Sequence, residues 1–273
     1  AFILYTSGTS GKPKGAPLTH GNVVSVLKAG MEWLEDWGAV REKVLGVLPM
    51  FHIYGLALNY ALPLSIGAEM VLVPAPKPKL YQAAITKTRP TVLPGVPTLY
   101  DKIIEWAVET NADLSSIHTS ISGASTLPVE TIERWENATG GRLIEGYGLT
   151  ETAPILAGNP LDGTRRPGYI GLPFPNTEIR IADPDDPSRT MPDGEPGELL
   201  ARGPQVFSGY LNSPEANERA FHDGWFRTGD MAVMEPDGWI KLVARIKEMI
   251  ITGGFNVYPD EVEGVMRNHP DIE

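Results

Sequence analysis

A largely parallel α/β sheet with flanking helices, joined to a small β subdomain, is the fold class this 273-residue sequence predicts. Three observations carry it. Short apolar runs alternate with helical stretches of roughly ten residues or more as far as Gly158, the rhythm of parallel α/β units. The residues able to do chemistry fall where those strands should end, as ligand-binding residues do in such sheets. Beyond Gly158 the texture changes to short strands separated by Pro, Gly and Asp clusters such as DPDDPSRTMPDGEPG, which reads as β structure with turns.

The elements follow in order. Ala1 to Tyr5 reads as a buried strand leading into a loop. Thr19 is placed to cap a helix running to about Trp37 and stopped by Gly38. Val44 to Leu48 is an apolar strand, and the segment Pro49 to Gly55 leads into an apolar helix. Glu69 to Val73 reads as a strand, Leu80 to Thr88 as a helix, and Thr91 to Leu93 as a strand ended by Pro94. Pro97 opens a helix to about Thr110, proline being tolerated at a helix start. Thr119 to Ser122 is a strand, Pro128 to Asn137 a helix, and Arg142 to Glu145 a strand. Later strands are expected around Gly168–Leu172, Glu178–Ile181 and Gly197–Ala201.

Composition narrows the function classes. The formal net charge is −11, which argues against a nucleic-acid surface, where Lys and Arg cluster. There is no cysteine, hence no disulfide framework, thiol nucleophile or Cys-based metal site; this fits a cytoplasmic enzyme. Gly55 to Pro74, the most apolar region, is broken by Asn59, Pro63 and Glu69 and falls short of the ~20 residues of a membrane span; peripheral contact at a membrane stays open. The chain has no starting Met, begins inside a strand and ends just after a helix, so a fragment of a longer protein is expected.

Four stretches carry chemistry. Tyr5 to Gly15, YTSGTSGKPKG, combines Thr6, Ser7, Thr9 and Ser10 with Gly8, Gly11 and Gly15 and with Lys12 and Lys14. Glycines let backbone N–H groups converge, hydroxyls add donors, and a lysine adds a mobile charge, so the loop can wrap a phosphate chain. It fits neither the P-loop spacing nor the dinucleotide fingerprint; a plain surface loop is the alternative. In Glu145-Gly146-Tyr147-Gly148-Leu149-Thr150-Glu151 an aromatic ring can stack a purine, a hydroxyl can meet a phosphate, and a carboxylate can hold Mg²⁺, a hard cation. The alternative there is a strand-to-helix turn capped by Thr. Asp230 closes Arg227-Thr228-Gly229-Asp230, where a carboxylate can accept both hydroxyls of a ribose. Gly253-Gly254-Phe255-Asn256-Val257 reads as a Gly-rich hairpin.

Together these stretches resemble the adenylate-forming enzymes: acyl-CoA synthetases, luciferases and peptide-synthetase adenylation domains. The loop is similar to [ST]SG[ST][ST]GxPKG, the second stretch to [YF]GxTE and the third to (H/R)TGD, in order and at natural spacing over essentially the whole chain. The resemblance implies that Lys14 and the loop close on the phosphates of ATP, that Tyr147 stacks adenine, that Thr150 touches the α-phosphate, and that Glu151 holds magnesium. It implies that Asp230 and Arg245 bind the ribose, that Gly123 and Ala124 line the acyl-adenylate pocket beside Glu145, Gly146 and Gly148, and that His52 sits by the reacting carboxylate. A satisfied core histidine is the alternative for His52, as a surface salt bridge is for Arg245. Ala244 stands where the family usually has Asp or Gly. Lys247 matches the hinge about which a small C-terminal α+β domain rotates, a solvated lysine being the alternative, and Gly253 and Gly254 match the segment lining the CoA tunnel. Tyr54, Gly55 and Val96 to Tyr100 are expected to line the acyl channel.

The implied organisation is a large adenylating domain over 1–246, truncated at its N-terminus, with its β subdomain at about 159–246, then a hinge and truncated C-terminal domain over 247–273. Within the family the pattern looks most like bacterial long-chain fatty acid–CoA ligases. Phe51, His52 and Ile53 offer no carboxylate for an amino-acid substrate, and no insertion separates Arg245 from Glu261 as in stand-alone acyl-AMP ligases. The reaction implied consumes ATP and a fatty acid to give acyl-AMP and pyrophosphate, then transfers the acyl group to CoA. The family's adenylation lysine would lie beyond Glu273, so the fragment alone is expected to adenylate poorly. An aryl- or medium-chain ligase, and a nucleotide- or acyl-binding homologue without turnover, stay open as alternatives.

Overall fold

The structure is a computed structural model that describes residues 1–6, 13–34, 41–246, 250–252, 255–257, 262 and 266. It opens on a two-stranded antiparallel ribbon, β1 (Phe2–Thr6) with β2 (Lys14–Leu18), in the register Phe2↔Leu18 to Thr6↔Lys14. The first strand is therefore not a buried member of the parallel sheet: Ile3 is 53% and Tyr5 71% exposed. β2, a Gly- and Pro-containing segment with little strand signal, is the packed member, with Ala16 and Leu18 fully buried against Val26, Ile53 and Phe207. Burial overrides weak propensity here.

Helix α1 (His20–Trp33) starts where the sequence places its cap. Thr19 and Asn22 form a capping box: the Asn22 N–H donates to Thr19 Oγ1 at 3.0 Å and the Thr19 N–H to Asn22 Oδ1 at 2.8 Å. The Asn22 amide also donates to the carbonyls of Pro204 and Val206, fixing the helix to a distant segment. The helix ends at Leu34, short of the expected Trp37, which with Gly38 lies outside the described residues.

A seven-stranded sheet forms the centre. Its strands are β3 (Lys43–Gly46), β4 (Glu69–Leu72), β5 (Val92–Gly95), β6 (Thr119–Ser122), β7 (Arg142–Tyr147), β8 (Ala157–Gly158) and β9 (Leu172–Pro173), in the order β4-β3-β5-β6-β7-β8-β9. Neighbours from β4 through β7 run parallel, and β8 and β9 are antiparallel additions. Pro94 does not end its strand. β5 pairs with β3 only at Val44↔Val92, so the donor that proline lacks is not called for further along that edge. Gly146 and Tyr147 are inside β7 rather than after it, held by pairing with Gly158 and Ala157.

Between β3 and β4 the apolar helix is built from three pieces, α2 (Ile53–Gly55), a π-helical turn (Leu56–Ala61) and α3 (Leu62–Ile66). Helices α4 (Pro78–Thr88), α5 (Pro97–Thr110) and α6 (Val129–Thr139) cover the sheet. Tyr81, Ile85, Tyr100, Ile103 and Trp135 pack there on Leu45, Leu93 and Leu143, each large side chain contributing roughly 1.5–3 kcal/mol by burial. Their polar atoms are satisfied: Trp135 Nε1 donates to Ser120 Oγ at 3.0 Å and the Tyr100 hydroxyl to Ile121 O at 2.7 Å.

The β structure beyond β9 forms a second, antiparallel sheet. It comprises β10 (Glu178–Ala182), β11 (Gly197–Arg202), β12 (Phe221–His222), β13 (Trp225–Met234) and β14 (Ile240–Arg245), with α7 (Pro214–Ala220) alongside. β13 is its longest member, and a register shift on its β11 flank leaves Thr228 to Asp230 outside that ladder, as bulges beside functional sites do, while on its β14 flank Asp230 stays paired with Arg245. β15 (Ile250–Thr252) and β16 (Phe255–Val257) pair as the expected hairpin. No helix among the described residues is long and apolar enough to cross a membrane.

Candidate functional site

A cleft of about 1220 Å³ opens beyond the carboxyl ends of the parallel strands, bounded by the β1–β2 ribbon and the antiparallel sheet. Thr6, Lys14, His52, Gly123, Ala124, Glu145, Gly146, Tyr147, Gly148, Thr150, Glu151, Asp230 and Arg245 all line it. Ser7, Gly8, Thr9, Ser10 and Gly11, and likewise Lys247, Gly253 and Gly254, lie outside the described residues.

At one end the ribbon pairs Thr6 with Lys14, so both stand at the mouth of the connecting loop. Lys14 makes no ion pair among the described residues; its ammonium lies 4.9 Å from the centre of the Tyr210 ring, a cation–π contact. Tyr210 in turn donates its hydroxyl to Glu151 Oε1 at 2.7 Å. Glu151 is buried on a 3₁₀ turn, Thr150–Thr152, whose closure falls to Thr152: the Leu149 N–H donates to Thr152 Oγ1 at 2.9 Å. The cap is thus Thr152, and the Thr150 hydroxyl has no partner among the described residues. The Leu211 N–H donates to Gly15 O at 2.9 Å, tying the Tyr210 segment to β2.

At the other end Asp230 is the hub. The Tyr147 hydroxyl donates to Asp230 Oδ2 at 2.7 Å, and Arg245 Nε lies 3.3 Å from Asp230 Oδ1. Asp230 and Arg245 are cross-strand partners of β13 and β14, and the Asp230 N–H donates to Thr228 Oγ1. Arg245 is therefore paired to a buried carboxylate rather than to a surface one, while Ala244 is buried and contributes no charge. Burial, then the Asp230 charge, pushes the Tyr147 phenol well above its ordinary range, so it stays a donor.

Glu145, on β7, is buried; desolvation pushes its carboxyl up to about 8, against the opposing effect of the Leu127 N–H it accepts. Gly148 is required by close approach, since a Cβ there would run into the Pro154 carbonyl. Ala124 holds φ +69 at the cleft lip, in the left-handed region. His52 is not a core residue: it is exposed, it caps α2 by accepting the Tyr54 N–H at Nδ1 (3.2 Å), and partial burial lowers its imidazole from the ordinary value. Tyr54 lines the cleft with its hydroxyl on Ile121 O and Gly95 O. Gly55 and Val96 to Tyr100 do not line it. Gly55 packs under the Pro49 carbonyl, and Leu99 and Tyr100 belong to the core under the sheet.

Several cleft residues escaped sequence reasoning. Tyr210 sits in Ser208-Gly209-Tyr210-Leu211, where nothing local announces a contact 59 residues away. Glu198, buried, holds Arg227 and accepts the Gly229 N–H at 3.1 Å, so it fastens the Arg227–Asp230 turn from beneath. A charge within an otherwise apolar strand, Gly197-Glu198-Leu199-Leu200, was the available signal. Trp33 and Phe174 stack with centroids 4.7 Å apart, and with Val26, Leu27 and Leu62 they make one wall apolar.

This is an α/β scaffold whose cleft gathers a lysine, a buried carboxylate with a free hydroxyl beside it, and an aromatic–carboxylate–arginine chain. The chain belongs to the family described as AMP-binding enzyme, whose profile matches residues 1–211. It is 41% identical over 275 residues to a long-chain-fatty-acid–CoA ligase of Bacillus subtilis (strain 168), covering 100% of this chain and 49% of that protein. It is 37% identical over 277 residues to a feruloyl-CoA synthase of Amycolatopsis sp, covering 100% of this chain and 55% of that one. Among solved structures, ATP-bound MatB from Rhodopseudomonas palustris superposes with a TM-score of 0.88 at 34% identity, over 98% of this chain and 52% of that chain. O-succinylbenzoate coenzyme A synthetase (MenE) from Bacillus subtilis, in complex with ATP and magnesium ion, gives 0.87 at 30% identity, over 99% and 55%. The chain thus spans about half the length of the curated relatives it matches.

Proposed function

We propose that the protein carrying this chain activates a long-chain fatty acid with ATP and passes the acyl group to CoA, releasing pyrophosphate and AMP. The observation that carries the reading is the convergence of Lys14, Thr150 and Glu151 at one end of a single cleft with Tyr147, Asp230 and Arg245 at the other. Residues 1–246 are assigned to the adenylating domain, with its β subdomain at about 159–246, and residues 247–273 to the hinge and the start of a C-terminal domain. The same proposal takes the enzyme to be cytoplasmic, with or without peripheral contact at the inner face of the membrane.

The cleft suits Mg·ATP. Among the described residues no group of three or more His, Cys, Asp or Glu could hold an ion by itself. Mg²⁺ fits such a site, since it takes one or two carboxylates and completes its shell with water and substrate phosphates. Glu151 would hold it through Oε2, which accepts no hydrogen bond among the described residues. When bound, the ion would neutralise phosphate charge. Lys14 would meet the phosphate chain and Thr150 the α-phosphate. The Tyr147 ring would bear the adenine, and Asp230 with Arg245 the ribose. His52 stands at the rim where the acid would enter. The fatty carboxylate attacks the α-phosphorus and pyrophosphate leaves; the CoA thiolate then attacks the acyl carbon and AMP leaves. No enzyme nucleophile is needed, so catalysis is positioning and charge neutralisation.

The test is pyrophosphate release by the whole protein with Mg·ATP and acids from acetate to oleate, with and without CoA. Release that peaks with long chains and turns over continuously only with CoA is expected. A second reading, an aryl acid, draws on the feruloyl-CoA synthase relative and on the Trp33–Phe174 wall; a peak with aromatic acids would select it. ATP binding without release for any acid would leave a nucleotide-binding protein and overturn both.

A further inference from the structure

Two opposite charges meet on one side chain in this cleft. The Tyr210 hydroxyl donates to Glu151 Oε1 at 2.7 Å, and the face of the same ring carries the Lys14 ammonium at 4.9 Å. Lys14 and Glu151 form no direct ion pair. Tyr210 is itself held firmly. Its N–H donates to Asn217 Oδ1 at 2.6 Å while the Asn217 amide donates back to Tyr210 O at 3.0 Å. Its ring meets the buried Phe207 edge-on at 4.8 Å. The Phe207 N–H donates to Glu151 O at 2.8 Å, so one short segment grips Glu151 by both backbone and carboxylate.

We propose that Tyr210 is a positioning residue for the phosphate end of the cleft: its hydroxyl aims the Glu151 carboxylate and its ring seats Lys14, keeping the two charges from neutralising each other before a metal nucleotide arrives. A lysine and a carboxylate within reach close into a pair when nothing separates them, and each then has to be pulled off the other by the incoming phosphate and cation. An aromatic face holds the ammonium without occupying a carboxylate, and it can be exchanged for phosphate. A phenol leaves the second carboxylate oxygen open while fixing the plane of the first, as outer-shell partners of metal-binding carboxylates do. This inference rests on the assignment of the cleft to Mg·ATP.

The experiment compares the whole parent protein with Tyr210→Phe and Tyr210→Leu. Mn²⁺ binding in the presence of a non-hydrolysable ATP analogue is read by electron paramagnetic resonance, and binding of the metal-free analogue in EDTA by calorimetry. Tyr210→Phe, which keeps the ring, should weaken Mn²⁺ binding about tenfold and leave metal-free nucleotide binding unchanged. Tyr210→Leu, which removes the ring as well, should weaken both. Unchanged Mn²⁺ binding in Tyr210→Phe, or equal weakening of metal and metal-free nucleotide in it, would overturn the positioning role while leaving the cleft assignment standing. A parent that binds no metal nucleotide would overturn both.

Discussion

The Tyr147 hydroxyl and the Asp230 carboxylate, 83 residues apart in sequence, are joined at 2.7 Å. The bond connects the last strand of the parallel sheet to the Thr228–Asp230 turn of the antiparallel one, so it joins the two walls at that end of the cleft. It also pins the hydroxyl end of the Tyr147 ring against Asp230.

Tyr147→Phe removes that bond but keeps the ring. A hydrogen bond to a charged group contributes about 1.5–3 kcal/mol, so ATP should bind roughly ten- to a hundredfold more weakly, with the acid KM unaffected. Titration calorimetry with ATP checks this; parent-like affinity would mean that the Asp230 geometry does not depend on the Tyr147 hydroxyl.

Glu145 gives the protein a pH signature. Its carboxyl is pushed from an ordinary 4.5 to about 8 by burial, so the folded state binds its proton more tightly than the unfolded state does. Stability contributed by the protonated form is therefore present at low pH, declines as pH rises from 4.5, and is lost by about pH 8. The decline should be on the order of 5 kcal/mol. Glu145→Gln, which still accepts from the Leu127 N–H, should flatten it, and midpoints of urea unfolding across this range would show it.

The Glu198–Arg227 pair lies beneath the Asp230 turn. Removing one member strands the other, so Glu198→Gln should cost about 3 kcal/mol and Arg227→Gln a similar amount. The double variant should lose less than the sum of the two, a non-additivity that denaturation midpoints resolve. Additive losses would mean that the two side chains contribute independently of each other.

Gly148→Ala should destabilise by roughly 2–4 kcal/mol, since a methyl group would overlap the Pro154 carbonyl on the neighbouring segment. Gly140→Ala, at φ +72 but with open space around it, should cost less, about 1 kcal/mol. Thermal unfolding of the two variants separates crowding from backbone conformation.

Local signals made much of the scaffold legible. Thr19 announced α1 by its cap, Pro97 announced α5, and the Thr119–Ser122 strand stands where the sequence placed it. What periodicity misled on was burial set by partners far away. Ala1 to Tyr5 has the composition of a buried strand yet among the described residues pairs only with β2, and β2 has weak strand chemistry yet is buried. Pro94 remains in β5 because of a pairing asymmetry that no window of sequence contains. In the cleft the same division holds. Motif residues were visible because their types cluster within a few positions. Tyr210 and Glu198 were not, because each acts on a residue that is a neighbour only after folding.

The strand beneath Lys14 has a consequence of its own. Ala16 and Leu18 are sealed in the interior and Gly15 is bonded to Leu211, so the cation rises from an immobile stem. When it engages an anion, only the rotamers of one side chain are frozen, roughly 1.5–2 kcal/mol of entropy, and no main-chain disorder is lost. The sequence freedom of this strand is accordingly narrow where it is electrically silent: drift at Gly15, Ala16 or Leu18, none of which lines the cleft, would loosen the stem and blunt the charge above it.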